Sequence, residues 1–398
     1  MTSTFESPAL ASAIPASDGG RLYSLDALRG LTVAAMVLVN NPGDWSHIYA
    51  PLRHAAWHGW TFTDTIFPAF LFIAGVSMVI STHRSLASHR SPTAVLLALW
   101  RRGLIIVAIG LAINLVPAFD LATLRWPGVL QRIGLCIIIA APLVLWSRWR
   151  GLVGWTLALM VTYSVLMLWV PVAGPDGVVS QGSLEAGRDT GAFVDRWLMS
   201  GHLWAQAKTW DPEGLLGTLP AAATLLLGAL AGRFLLTRRM DGGRTLLLAA
   251  AGLLAVGLGV LLDSFFMPIN KSLWTPSYAV FMSGCTATAL AACYWFADGS
   301  GNERLRHHVR TLLLPSVMFG VNALAIFALS GLIGRLIGTL KVTSDAGQSV
   351  TIKAWMFGEL SRLPLSPVNA SLLYAGVFVA CMFVVAWLLW RKQVILKV

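Results

Sequence analysis

Residues 24–81 read SLDALRGLTVAAMVLVNNPGDWSHIYAPLRHAAWHGWTFTDTIFPAFLFIAGVSMVIS. The apolar stretches at either end, 24–41 and 61–81, have the length a helix needs to cross about 30 Å of hydrocarbon. Between Asn40 and Pro68 the chain places three histidines and two aspartates. Titratable chemistry therefore stands where two membrane helices meet a polar face.

The rest of the chain repeats the apolar pattern. Of 398 residues 56% are hydrophobic and only 12% charged, and the mean hydropathy is +0.70. That balance belongs to an integral membrane protein. In lipid the backbone must satisfy its own hydrogen bonds, so the spans are helices. About ten are expected, at 24–41, 61–81, 93–116, 128–147, 152–171, 215–237, 245–263, 277–297, 311–338 and 370–390. The fold class is an all-α polytopic membrane protein, about ten transmembrane helices in one bundle.

Alternate connectors are basic: HRSLASHR, SRWR, RFLLTRRMDGGR, NERLRHHVR and the terminal RKQVILK. By the positive-inside rule these connectors, and both termini, are cytoplasmic. The net charge of +11 is thus a record of topology, and a nucleic-acid partner is not expected. Residues 1–20 are polar, lack the pattern of a secretory leader and are expected to form a disordered tail, with residues 21–398 as one membrane domain. Cys136, Cys285, Cys293 and Cys381 fall in expected spans and resemble packing residues more than a disulfide or metal framework. No repeat, Walker motif or dinucleotide fingerprint is present, so nucleotide hydrolysis is unsupported. The long connectors 172–214 and 339–369 fall on the outer side and are expected to cover a substrate site there.

Polar residues that a membrane protein would ordinarily avoid carry the chemistry. At the outer face stand Asn40, Asn41, His47, His54, His58 and Asp64. Gln131 and Arg132 open the fourth span, and Asp263, Asn270 and Lys271 lie near the end of the seventh. His54 is the leading acid/base residue, since an imidazole takes and returns a proton near neutral pH. The competing reading is a loop histidine packed among Trp45, Trp57 and Trp60. His54 and His58 lie four apart, yet two histidines without a further dedicated ligand do not make a zinc cage, and no metal is expected. Arg132 is expected to find a buried partner such as Asp64. Asp211 and Glu213 are read as helix-capping acids beside Pro212.

At the inner face Asp26 and Arg29 lie three apart on the first helix. The plain reading is an ion pair with Arg29 reaching the headgroups. The functional reading is that Arg29, with Arg101 or Arg102, receives the phosphates of a cytoplasmic cofactor.

RLYSLDALRG (21–30), VNNPG (39–43), LRHAAWHGWTFTDTIFPAFLFIAG (52–75), RWPGVLQRIG (125–134), DPEGLLGTLPA (211–221) and PINKSLWTPSY (268–278) together resemble the heparan-α-glucosaminide N-acetyltransferase family and its bacterial relatives. The resemblance implies a transmembrane acyltransferase that takes acetyl from cytoplasmic acetyl-CoA to an amine or hydroxyl of a sugar across the membrane. It implies that His54 is the catalytic histidine, Asn40 its supporting asparagine and Asp64 a further motif residue. Asp26, Arg29, Arg101, Gln131 and Arg132 are then candidates for contacts to the donor. The animal members act on terminal glucosamine of heparan sulfate, and relatives are dimeric, so a homodimer is expected. This chain starts close to the first catalytic helix, and His58 replaces an asparagine of the animal motif. A bacterial inner membrane is the expected location, with membrane lipid, acetyl-CoA and an amino sugar or glycan as partners.

Acyl transfer needs a base and donors for an oxyanion, which His54 and Asn40 supply, by direct attack or through an acetyl-histidine. Asp26 to Asn40 spans about 21 Å of helix, so a polar tunnel is expected between the two faces. A polytopic transporter of a small polar solute or sugar, or a non-catalytic scaffold for envelope glycans, are the alternatives from other classes.

Overall fold

The computed structural model describes residues 22–236, 242–344 and 347–396. The tail read at residues 1–20 lies outside them. Thirteen α-helices build the described chain: α1 (Tyr23–Asn40), α2 (Phe62–Ala87), α3 (Pro92–Leu115), α4 (Val129–Trp146), α5 (Trp149–Trp169), α6 (Thr190–Met199), α7 (Thr218–Leu236), α8 (Gly242–Phe265), α9 (Pro276–Tyr294), α10 (Glu303–Val321), α11 (Ala323–Thr339), α12 (Ile352–Leu360) and α13 (Pro367–Arg391). The strands among the described residues form two short antiparallel hairpins, Val172–Ala173 with Val179–Ser180 and Lys341–Thr343 with Ser349–Thr351. The fold is an all-α polytopic membrane protein.

Eight described helices are long and apolar enough to cross a membrane, or nine if the bent pair α10 and α11 counts as one span. This accords with the expectation of about ten spans, two of which differ in detail. The ninth is broken by 71° at Asn322, and α1 is an 18-residue helix whose apolarity Asp26, Arg29 and Asn40 dilute.

Inside lipid, helices gain little from hiding apolar surface from one another, so close backbone approach sets which pairs hold. Glycine supplies that approach where α2 meets α7. A Cβ on Gly75 would stand 1.9 Å from the Leu225 carbonyl oxygen, and one on Gly228 2.0 Å from that of Phe72. Where α1 meets α10, a Cβ on Gly320 would stand 2.0 Å from the Asp26 carbonyl oxygen. These contacts, with α3 on α4 and α8 on α9, fix the bundle that carries the polar residues described next.

Candidate active site

The connector between α1 and α2 is shaped by its own sequence. Pro51 sits in a 3-10 turn, Ala50–Leu52, after which Arg53 Nε donates to the Ile48 carbonyl at 2.9 Å. Gly59 adopts φ +91°, a conformation a side chain would strain, and its N–H donates to the Ile269 carbonyl at 2.7 Å. This bond ties the His54 loop to the connector after α8. There Asp263 accepts from Ile269 N at 2.6 Å, and the fully buried Asn270 accepts from Leu273 N at 2.9 Å. That connector carries Lys271.

Within this frame His54 Nδ1 lies 2.6 Å from Asp64 Oδ1. Asp64 is buried at the start of α2, while about half of the His54 side chain is open. The other carboxylate oxygen accepts from Ala55 N at 3.0 Å, Thr61 N at 3.0 Å and Thr61 Oγ1 at 3.1 Å. An ionised carboxylate only accepts, so the bond assigns the proton to Nδ1 and leaves the Nε2 lone pair facing outward. Lys271 Nζ stands 3.5 Å from that lone pair.

His54 opens into a cavity of about 730 Å³. Asn40 and Gln131 line it from α1 and α4, and Trp45, Trp57, Trp204 and Trp210 form much of its wall. Trp57 meets Trp210 edge to face at 5.1 Å between centroids, and Trp210 meets Trp204 at 5.6 Å. The 172–214 connector thus does wall a cavity beside His54, through Trp204, Gln206 and Trp210. None of the described residues of 339–369 lines it.

Sequence reading overlooked an ion cluster in this wall. Arg125 Nε donates to Asp211 Oδ2 at 2.8 Å and its Nη2 to Glu213 Oε2 at 2.7 Å, and both acids are buried. Burial pulls the Glu213 carboxyl up, but the charges of Arg125 and Lys271 outweigh it and hold the group below its ordinary range. Asp211 and Glu213 are therefore partners of Arg125 rather than mere caps. The clue lay in two conspicuous blocks, RWPG and DPEG, whose opposite charges are 86 and 88 residues apart.

Arg132 does not meet Asp64. It is buried, donates through Nη2 to the Gly214 carbonyl at 2.8 Å and rests 5.2 Å above the Trp274 ring. Asp64 already serves His54 and Thr61, so the expected pair is replaced by a carbonyl and a ring. Gln131 faces the His54 cavity, so the two neighbours expected together point to different surroundings.

A second cavity, of about 210 Å³, opens at the Arg29 end. Arg29 is oriented there by Asp26 Oδ1 at 2.8 Å and Ser77 Oγ at 2.6 Å. Arg102 lines the cavity and Arg101 does not, since consecutive helical positions point about 100° apart. Leu396 closes one side, its N–H held at 2.9 Å by Asn322 Oδ1, while Asn322 Nδ2 donates to the Val394 carbonyl at 3.0 Å. The expected continuous tunnel is corrected: the cavities share no lining residue. On α4, Gln131 and Ile133 line opposite cavities two residues apart, about 3 Å of helix, and on α11 Leu324 and Phe327 do so three apart, so the cavities approach within less than one helical turn. No group of three or more His, Cys, Asp or Glu able to hold a metal occurs among the described residues.

The class these features define is a polytopic membrane protein with a histidine–carboxylate pair facing a polar, tryptophan-walled cavity. Residues 21–248 match the family described as heparan-alpha-glucosaminide N-acetyltransferase, catalytic, and the chain belongs to that family. Among curated relatives, mouse heparan-alpha-glucosaminide N-acetyltransferase is 28% identical over 339 residues, covering 72% of this chain and 50% of its own length. The human protein of the same name is 29% identical over 335 residues, covering 71% and 49%. The chain spans about half the length of these curated relatives.

Proposed function

We propose that this protein is a transmembrane acetyltransferase that carries an acetyl group from acetyl-CoA, on the Arg29 side, to an amino sugar or glycan in the His54 cavity. The observation that carries the reading is the His54–Asp64 pair, with the Nε2 lone pair open to a cavity walled by tryptophans, in a chain of an N-acetyltransferase family. Aromatic faces suit the C–H faces of a sugar ring, and the carboxylates and amides of the rim suit its hydroxyl and amine groups.

The residues present fit acetyl-CoA in character. Guanidinium groups of Arg29 and Arg102 match its phosphates, and the apolar lining residues Ile106, Ile133 and Ile137 match an uncharged arm. At about 210 Å³ the Arg29 cavity is smaller than the roughly 300–1,000 Å³ of ordinary ligand sites, so entry requires its wall to shift. Leu396 is the lining residue outside the helices and their break.

Acetyl-CoA supplies an activated thioester. The acceptor amine attacks its carbonyl carbon, the N–C bond forms, and His54 Nε2 takes the amine proton. Asp64 holds the Nδ1 proton and steadies the imidazolium. As the C–S bond breaks, the same proton passes to the departing sulfur. Lys271, 3.5 Å from Nε2, and Asn40, on the wall of the same cavity, are the donors assigned to the oxyanion in this reading. In the variant route His54 carries the acetyl group itself. The basic connectors orient the protein with the Arg29 end in the cytoplasm of a bacterial inner membrane.

The test is acetyl transfer from labelled acetyl-CoA to a panel of amino sugars by the purified full chain in detergent. Transfer by wild type, abolished in His54→Ala while acetyl-CoA binding persists, is the expected result. Equal transfer by both proteins overturns the role of His54.

A further inference from the structure

The segment after α13 turns back onto the Arg29 cavity, and the chemistry of acetyl transfer gives it no task. Helix α13 ends in a reversal: Gln393 N–H donates to the Trp390 carbonyl at 3.0 Å, and Val394 N–H to that of Leu389 at 2.9 Å. Gln393 takes φ +54°, the left-handed conformation that such a helix end requires. The reversal brings residues 394–396 against Asn322, at the break between α10 and α11.

One buried side chain holds them there. Asn322 Nδ2 donates to the Val394 carbonyl and its Oδ1 accepts from Leu396 N–H, both backbone groups, so the two bonds set the path of the segment whatever its side chains. Those side chains add little, since Val394, Ile395 and Leu396 are 38%, 48% and 51% exposed. Every other lining residue of the cavity belongs to a helix or to the break itself. A helix cannot move without disturbing packed neighbours, whereas Leu396 leaves once two hydrogen bonds pass to water.

We propose that residues 393–396 are a gate over the Arg29 cavity, latched by Asn322. Opening widens the cavity on the side of Leu396 and admits a phosphate-bearing ligand to Arg29 and Arg102. Two bonds exchanged for bonds to water keep the latched form ahead by about 10- to 100-fold, and a ligand that needs the open form binds weaker by that factor. That this ligand is acetyl-CoA rests on the function proposed above; the latch does not.

The experiment reads the gate without the donor. Ala74 lines the cavity from α2. The full chain carrying Ala74→Cys is treated in detergent with the anionic reagent sulfonatoethyl methanethiosulfonate, and peptide mass spectrometry follows labelling at that position apart from the native cysteines. Adding Asn322→Ala is expected to raise the labelling rate about tenfold. Adding Leu396→Ala, which trims the gate and spares the latch, is expected to raise it about threefold and keeps the test valid should the first variant fail to fold. Unchanged labelling in either folded variant overturns the gate; a lowered melting temperature with no gain in access would make the segment a staple that only ties α13 to the break. Acetyl-CoA is then titrated into the same proteins and is expected to bind the Asn322→Ala variant about tenfold more tightly. Raised labelling with no acetyl-CoA binding in any of them supports the gate and refutes the donor, so the two readings fail separately.

Discussion

Asp64→Asn isolates what the buried carboxylate does for His54. The side chain keeps its shape but exchanges one acceptor oxygen for an N–H₂ group. Oδ2 receives Ala55 N, Thr61 N and Thr61 Oγ1, so an amide nitrogen placed there would face two backbone donors. The amide must then turn its N–H₂ toward His54, 2.6 Å away in the wild type. His54 Nδ1 becomes an acceptor, the proton moves to Nε2, and the atom that faced the cavity no longer takes a proton. A wrong tautomer of this kind costs about 10⁴-fold in kcat, equivalent to about 5.5 kcal/mol of barrier. Stability should fall by only about 1–2 kcal/mol, because charge-assisted bonds become neutral ones without a cavity forming. Single-turnover transfer from labelled acetyl-CoA, read beside thermal melting and donor binding, separates the two effects. Folded Asp64→Asn protein that binds acetyl-CoA and turns over within tenfold of wild type would refute the reasoning.

Arg125→Ala leaves Asp211 and Glu213 buried without their cation, so a loss of about 3–5 kcal/mol is expected in thermal melts; a melting curve matching wild type would show that the cluster does not hold the cavity wall. Burial pushes the Asp195 carboxyl on α6 up to about 7, against the opposing bond from Leu215 N. In the unfolded chain the group ionises near 3.9, so stability falls as pH rises from about 4 to about 7, by up to about 4 kcal/mol, and levels off above. Asp195→Asn should flatten that dependence, and an unchanged slope in melts taken from pH 5 to 8 counts against it. Gly228→Leu forces α7 away from the Phe72 carbonyl of α2, the helix that carries Asp64, and about 3 kcal/mol or more should be lost, with transfer lost alongside. Wild-type yield and turnover in that variant would show that α2 and α7 do not need their close approach.

The sequence alone determined that this is a helical membrane protein and where its helices run. Long apolar stretches admit no other backbone solution in lipid, and the stretches stand out without any knowledge of neighbours. It also marked His54, Asn40 and Asp64, because polar side chains are rare beside such helices, and His54 and Asp64 are close enough in the chain for one connector to join them. Tertiary structure decided what depends on how each helix is rotated and what it packs against. Arg102 rather than Arg101 turns into the cavity at the Arg29 end, and Gln131 and Arg132 part company, because neighbouring positions on a helix face different ways. Arg125 finds acids 86 and 88 residues away, a pairing no local pattern encodes. The break at Asn322 and the division of the polar interior into two cavities arise where several helices meet, so both are set by packing rather than by spacing.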